Sequence, residues 1–286
     1  MKFDFVKMEG LGNDFVIIDD RNGNISKRIH YGQLAEKLCS RHFGIGADGI
    51  ILVLDSETMD IKFRIFNADG TEAEMCGNGI RCFAKYLYDN KIILQKKFKV
   101  ETLAGTVIPE VFLCETGKVK HVKVDMGIPV LVPGKIPFES SKEKAVNETV
   151  VVHGKKLFLT AVSMGNPHAV IFVDDIENID IEKQGKGIEN HKSFPEKTNV
   201  EFVQVINENE FKMRIWERGA GETLACGTGA CAALVASNLN RKTLENALVH
   251  LKGGDLKIFW DKHNMHVFMT GPAELVFTGN FIYPAQ

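Results

Sequence analysis

The sequence contains no apolar run long enough to span a membrane, and its first residues, MKFDFVKMEG, lack the apolar centre of an export signal. A soluble, cytoplasmic protein is therefore expected. It also lacks an excess of charge. A formal net charge of −2, with no basic run longer than a pair such as Lys96-Lys97, offers no general attraction to nucleic acid or an anionic membrane. Neither Cys-x-x-Cys spacing nor a His-rich cluster occurs, so no metal site is expected. The six cysteines (39, 76, 82, 114, 226, 231) sit in a chain of 286 residues that does not need disulfide staples. A phosphate-binding signature is missing as well. GIGADG (44–49) matches G-x-G-x-x-G, but a helical pattern precedes it and a strand, Ile50 to Leu54, follows, the reverse of a dinucleotide-binding turn. It is read as a turn at the edge of a substrate site, and no cofactor is expected.

What the sequence does contain is a duplication. Sliding the chain by 150 positions lays KFRIFNADGTEAEMCGNG (62–79) over KMRIWERGAGETLACGTG (212–229), with seven identities in eighteen positions, Cys76/Cys226, Gly77/Gly227 and Gly79/Gly229 among them. Flanking anchors keep their order: Gly12-Asn13 with Gly165-Asn166, Val100 and Gly105 with Val249 and Gly254, and Met126-Gly127 with Thr270-Gly271. A period this long marks a duplicated domain and not a solenoid, whose units run about 20 to 50 residues. Two pseudo-symmetric α+β domains are expected, 1–127 plus 274–286 and 128–273, each a sheet or barrel around a central helix. Two such halves facing each other would offer a cleft with one cysteine from each side.

Each copy reads as an alternating strand, a polar loop, a cysteine and a Gly-x-Gly that opens an apolar helix. The first strand expected is Phe15 to Asp19, followed by a helix from Tyr31 to Phe43. Ile80, Phe83, Ala84, Leu87 and Tyr88 share one face of a second helix. Strands are expected at 98–102, 107–111 and 122–125. Pro129, Pro133, Pro137 and the polar ESSKEKAVNE mark the crossing as a linker or surface hairpin. In the second half, 174–197 reads as charged and irregular, and ACAALVA (230–236) as a helix apolar on all sides, hence enclosed. A last strand, Leu275 to Phe277, is expected to return to the first domain.

A helix that starts at Gly-x-Gly presents unpaired backbone N–H groups and the positive end of its dipole, with no side chain to block a carboxylate. Such ends favour thiolate over thiol. The dipole contributes about 0.3–1 kcal/mol, less than one pKa unit, so Glu217 and His168 are candidates to assist. One thiolate and one thiol on opposite faces of an amino-acid α-carbon are what stereoinversion without a cofactor requires. Cys39, Cys82, Cys114 and Cys231 read as core residues. Glu72 and Glu222, although matched in the repeat, read as solvent-facing loop charge.

GLGNDF (10–15), FNADG (66–70), MCGNG-x-R-C (75–82), GNPH (165–168), TNVEF (198–202), WERG (216–219) and ACGTGACA (225–232) together resemble the diaminopimelate epimerase family, over nearly the whole chain and in order. The resemblance implies a cofactor-independent racemase of lysine and peptidoglycan-precursor synthesis, a cytoplasmic homodimer interconverting LL- and meso-diaminopimelate. It implies that Cys76 and Cys226 are the acid/base pair and that His168 and Glu217 tune the thiols. Asn13, Gly77, Asn78, Glu217, Gly227 and Thr228 match positions that hold the reacting end of the substrate. Asn67, Asn166, Asn199 and Arg218 match those that read its distal end. Gly49 departs from the pattern, since some members carry a substrate-contacting glutamine there.

Four other readings compete. A proline racemase-like enzyme would have no use for Arg218 and three asparagines at a second head group. A redox switch or amino-acid-binding protein would not exchange the α-hydrogen with solvent, and a cysteine acyl-transfer enzyme would form a thioester.

Overall fold

The computed structural model describes residues 1–283. In chain order the strands and helices of the first half are β1 (Lys2–Gly10), β2 (Asn13–Asp19), α1 (Tyr31–Cys39), β3 (Gly49–Leu54), β4 (Ile61–Asn67), β5 (Glu72–Ala73), α2 (Gly77–Asp89), β6 (Val100–Thr102), β7 (Gly105–Val107), β8 (Glu110–Leu113) and β9 (Val119–Asp125). The second half adds β10 (Glu148–Val152), β11 (Lys155–Ser163), β12 (Pro167–Phe172), α3 (Ile181–Glu189), β13 (Asn199–Asn207), β14 (Glu210–Glu217), β15 (Gly221–Thr223), α4 (Gly227–Leu239), β16 (Asn246–Leu251), β17 (Gly254–Trp260) and β18 (Val267–Gly271). The strand β19 (Glu274–Ile282) ends the described chain. These elements fall into two compact units, Met1–Val124 with the chain from Gly271 onward, and Asp125–Thr270.

In the first unit the strands run in the order β19-β1-β2-β3-β4-β6-β7, with β5 paired to β4. The hairpin β8–β9 lies outside this sheet. In the second unit the order is β10-β11-β12-β13-β14-β16-β17-β18, with β15 paired to β14. The duplication is written into the pairing. Ile61 lies opposite Val100 in a parallel pair, as Phe211 lies opposite Val249. Phe66 faces Glu72 and Trp216 faces Glu222. Each of these short strands also carries an ion pair back to its neighbour: Arg64 donates from Nε and Nη2 to Glu72 at 2.6 and 2.7 Å, and Arg214 Nε lies 2.9 Å from Glu222. Glu72 and Glu222 are thus strand residues tied to arginine and not idle loop charge. Lys252 adds a second cation to Glu222 at 2.6 Å, and these partners hold the Glu222 carboxyl below its usual range against the opposing effect of burial.

A helix lies at the centre of each unit. α2 packs against β1, β2, β3, β4 and β8, and α4 against β11, β12, β13, β16 and β17. Ten of the thirteen residues of α4 are buried, so the all-round apolar sequence has no wet face to serve. α2 is less apolar, and it buries Arg81 and Lys85 by hydrogen-bonding them to backbone carbonyls. Arg81 Nε reaches Pro272 O at 3.0 Å, and Lys85 Nζ reaches Val119 O at 2.5 Å. Each fully buried aliphatic side chain in these cores contributes about 1.5–3 kcal/mol relative to exposure. The second glycine of each Gly-x-Gly is there for packing. A Cβ at Gly79 would sit 3.2 Å from Ile51 and 3.4 Å from Ile65, and one at Gly229 only 2.8 Å from Ile215 and 2.7 Å from Glu201.

Several elements differ from expectation. α1 stops at Cys39 and not Phe43, because Gly44, Ile45 and Gly46 fold back so that Leu38 O accepts from Ile45 N and Gly46 N. β1 precedes the strand expected to be first; it is paired from Lys2 to Glu9 by β19, which is three times as long as the 275–277 segment and does return to the first unit. The charged stretch 174–197 contains α3, capped by Asp180. Cys114 is not a core residue but half-buried, in the turn after β8, with Thr116 Oγ1 3.0 Å from its sulfur.

Candidate active site

In the first unit Cys76 is the N-cap of α2: its backbone is extended (φ −140°, ψ 120°), its carbonyl accepts from Ile80 N, and its Sγ accepts from Gly79 N at 3.4 Å. Beside it a string of amides is held in one orientation by a charge at either end. Arg81 Nη1 donates to Asn78 Oδ1 (3.0 Å), Asn78 Nδ2 to Asn13 Oδ1 (3.2 Å), and Asn13 Nδ2 to Asp48 Oδ2 (2.7 Å). The amide orientations follow from this network. Asn13 Oδ1 therefore faces Cys76, whose Sγ is 3.7 Å away. Asp48 is itself fixed by Arg41 (2.8 Å) and by the backbone N–H of Asp14 (3.1 Å). Asp14 is paired with Lys7 and Arg41, and these cations and hydrogen bonds lower its pKa in spite of burial.

Sequence patterning does not mark Asp48 or Arg81 as site residues. Both lay inside motifs already in view, GIGADG and MCGNG-x-R-C, but their reach to Asn13 and Asn78 is set by tertiary pairing. Asn67 is exposed at the end of β4 with its Nδ2 on Thr71 Oγ1 (3.0 Å). Gly49 accepts no side chain: a Cβ there would lie 2.6 Å from the carbonyl oxygen of Phe66.

In the second unit Cys226 caps α4 with the same backbone (φ −131°, ψ 117°) and accepts Ala230 N on its carbonyl. Its sulfur lies 3.3 Å from Thr228 Oγ1, which receives Asn166 Nδ2 at 3.4 Å. Asn166 Oδ1 in turn lies 2.9 Å from His168 Nε2, and His168 Nδ1 lies 2.6 Å from Glu201 Oε1. Asn199, opposite His168 in the parallel pair of β12 and β13, donates to Pro167 O and accepts the backbone N–H of Arg218. The exposed Arg218 side chain donates to Glu196 O, and Glu217 Oε1 accepts Thr223 Oγ1 at 2.5 Å.

The thiol of Cys226 departs from expectation. Burial pushes its pKa well up, the Glu217 carboxylate pushes the same way, and the hydrogen bond to Thr228 offsets only part. The helix end does not make a thiolate here, because desolvation of the charged sulfur outweighs a dipole that contributes less than one unit. His168 is linked to the sulfur through Asn166 and Thr228. Among the described residues no cluster of three or more His, Cys, Asp or Glu side chains is arranged to hold a metal.

Each unit is a sheet wrapped around a helix that a cysteine and Gly-x-Gly open. The fold is shared with a hydroxyproline epimerase from Agrobacterium vitis, at a TM-score of 0.70 and 13% identity, covering 98% of this chain and 91% of that one. It is shared also with a phenazine biosynthesis protein of the PhzF family from Bacillus anthracis, at 0.72 and 15%, covering 99% of this chain and 100% of that one. The chain belongs to the diaminopimelate epimerase family, whose model matches residues 5–132 and 160–276. The diaminopimelate epimerase of Desulforapulum autotrophicum is 61% identical over 279 residues, 98% of this chain and 99% of that protein. That of Pelotomaculum thermopropionicum is 52% identical over the same length and the same shares.

Proposed function

We propose that this protein interconverts LL- and meso-diaminopimelate, in lysine and peptidoglycan-precursor synthesis, by proton transfer between the substrate α-carbon and two cysteines, Cys76 and Cys226. The observation that carries the mechanism is the repeated cap: in each unit a cysteine and the Gly-x-Gly amides after it converge at the start of a buried helix. In one direction a thiolate takes the α-hydrogen and the C–H electron pair stays on carbon as a carbanion. That charge delocalises onto the substrate carboxylate, where helix N–H groups stabilise it, and the second thiol returns a proton to the opposite face. The first sulfur ends protonated and the second ionised, so the roles are exchanged for the reverse reaction. Proton transfer alone completes the inversion, and no cofactor enters the step.

Asn13, Gly77 and Asn78 in one unit, and Glu217, Gly227 and Thr228 in the other, hold the reacting end in this reading. Asn67, Asn166, Asn199 and Arg218 read the distal amino-acid group, for which a planar guanidinium suits a carboxylate. The protein works as a cytoplasmic homodimer; no described helix is long and apolar enough to cross a membrane. The exposed apolar residues Leu275 and Phe277 on the edge strand β19 support self-association. Neither nucleic acid nor membrane is a partner.

Incubation with LL- or meso-diaminopimelate in deuterated water tests this, with proline as control. Deuterium is expected at the α-carbon of both diaminopimelate isomers and not of proline, and Cys76→Ala or Cys226→Ala should reduce epimerisation by at least about 10²-fold, the scale of a lost general acid or base. Epimerisation that survives either substitution would rule out the two-thiol mechanism.

A further inference from the structure

Glu201 has no part in the chemistry above, yet it is fully buried beside it. The repeat shows how unusual that is. In the first unit the parallel pair β2–β3 sets Phe15 opposite Gly49 and Ile17 opposite Ile51. In the second, β12–β13 sets His168 opposite Asn199 and Val170 opposite Glu201. With Gly12-Asn13 matched to Gly165-Asn166, His168 stands where the first unit has Phe15, and Glu201 stands where it has Ile51. Contacts at the helix starts agree: the side chain nearest a Cβ on Gly79 is that of Ile51, and the one nearest a Cβ on Gly229 is that of Glu201. The fold can thus be built with two apolar residues at these places, and the second unit has instead an imidazole and a carboxyl group, both at 0% exposure.

Such a pair is expensive to desolvate, and it is only partly satisfied, since Glu201 Oε2 accepts no hydrogen bond. What Glu201 does achieve is to fix its neighbour. Asn166 uses its Nδ2 on Thr228, so its Oδ1 is the acceptor presented to His168 Nε2, which must carry a proton. The 2.6 Å contact between His168 Nδ1 and Glu201 Oε1 needs one proton between the two atoms, and with one the pair is neutral whichever atom holds it. Burial raises the affinity of Glu201 for it. The other ionisable groups acting here are Glu217, at the end of β14, and Cys226 itself.

We propose that Glu201 is a positioning residue for epimerisation: through His168, Asn166 and Thr228 it fixes the hydrogen-bond donor presented to the Cys226 sulfur while keeping the buried pair neutral. The proposal rests on Cys226 being one of the two bases. With Glu201 in place the string delivers the Thr228 hydroxyl to a thiolate as it forms. Without it His168 can turn or lose the Nε2 proton, and Asn166 is freed to reverse.

The test compares wild type, Glu201→Gln and Glu201→Ile, the last taking the side chain that the first unit already accommodates. Circular dichroism and thermal melting monitor folding; kcat, KM and α-deuteration in deuterated water are followed from pH 6 to 9.5. Glu201→Ile is expected to lower kcat by about 10- to 100-fold, as a misplaced catalytic group does, with KM within about twofold and a shifted alkaline limb of the kcat profile. Glu201→Gln, whose amide can donate to Nδ1, should recover most of kcat. Wild-type kcat and pH profile in folded Glu201→Ile would overturn the proposal, as would equal losses of kcat in both variants with an unmoved pH profile. Failure of the wild type itself to deuterate the α-carbon would instead remove the two-thiol reading on which the proposal stands.

Discussion

Cys226 is subject to two opposed effects. The start of α4 favours thiolate by about 0.3–1 kcal/mol, whereas full burial can shift a titration by up to about 3–5 units the other way. With Glu217 adding negative charge nearby, the resting group is a thiol. Cys39 and Cys82 are likewise pushed up to about 12 by burial. Cys114 moves in the other direction because Thr116 donates to its sulfur. Iodoacetamide at pH 7.5 should therefore alkylate Cys114 ahead of Cys226, Cys39 and Cys82, as mapped by peptide mass spectrometry. Because the Glu217 charge raises the Cys226 pKa, Glu217→Gln should lower it and move the pH dependence of Cys226 alkylation downward. An unmoved curve would mean that burial alone sets the titration. The two cysteines were legible in the sequence because a repeat exposes them. Their partners were only half legible: Asn13, Asn78, Asn166 and Thr228 sit in the same short motifs, but Asp48, in the turn just before β3, and Glu201, on β13, reach them through tertiary pairing, and no spacing within one segment reveals that.

At the level of elements, the two helix starts are alike in sequence and unequal in tolerance. Replacing a helical glycine by alanine ordinarily stabilises by about 0.5–1 kcal/mol. At Gly79 the new methyl group would meet the flexible ends of Ile51 and Ile65 at 3.2 and 3.4 Å, which a small shift relieves. At Gly229 it would meet Glu201 at 2.7 Å and Ile215 at 2.8 Å, and the Glu201 carboxyl is held by His168. Overpacking of this kind costs about 1–3 kcal/mol. Urea unfolding should find Gly79→Ala near neutral and Gly229→Ala destabilised by about 1–2 kcal/mol; equal effects would show that the second site relaxes as freely as the first. The same packing explains which elements the sequence concealed. α3 contains Gly185, where a Cβ would lie 2.5 Å from the Trp216 ring, so the residue that reads as a helix breaker is the one that lets the helix approach β14. β1 alternates acceptably in KFDFVKMEG but carries charge; only Val6 to Gly10 pair with the neighbouring β2, and its first residues depend on β19, some 270 residues away, for a partner.

At the level of the whole molecule, the expectation of two duplicated α+β units around central helices was carried by an offset near 150 residues, since register pairs as distant as Ile61–Val100 and Phe211–Val249 keep it to within one residue. Length and composition alone would not have separated this from other two-domain folds. What the offset does not reach is β19, which follows the end of the repeat. It lies at the edge of its sheet, its outer side without a partner strand among the described residues, and Leu275, Val276, Phe277 and Ile282 are 55, 53, 45 and 73% exposed. An apolar edge strand left in water invites pairing with another chain, and charges or prolines that usually discourage it are sparse between Leu275 and Ile282. A second copy of the same strand is the simplest cover and gives a closed twofold dimer. Leu275 and Phe277 lie on opposite faces of β19, across the bulge between the pairs Lys7–Phe277 and Met8–Leu275, so replacing both by lysine places like charges from each copy on both faces of the paired edge. Light scattering after gel filtration should show the wild type at about twice the chain mass and Leu275→Lys/Phe277→Lys at about one. A double variant that stays dimeric while folded would move the interface away from β19.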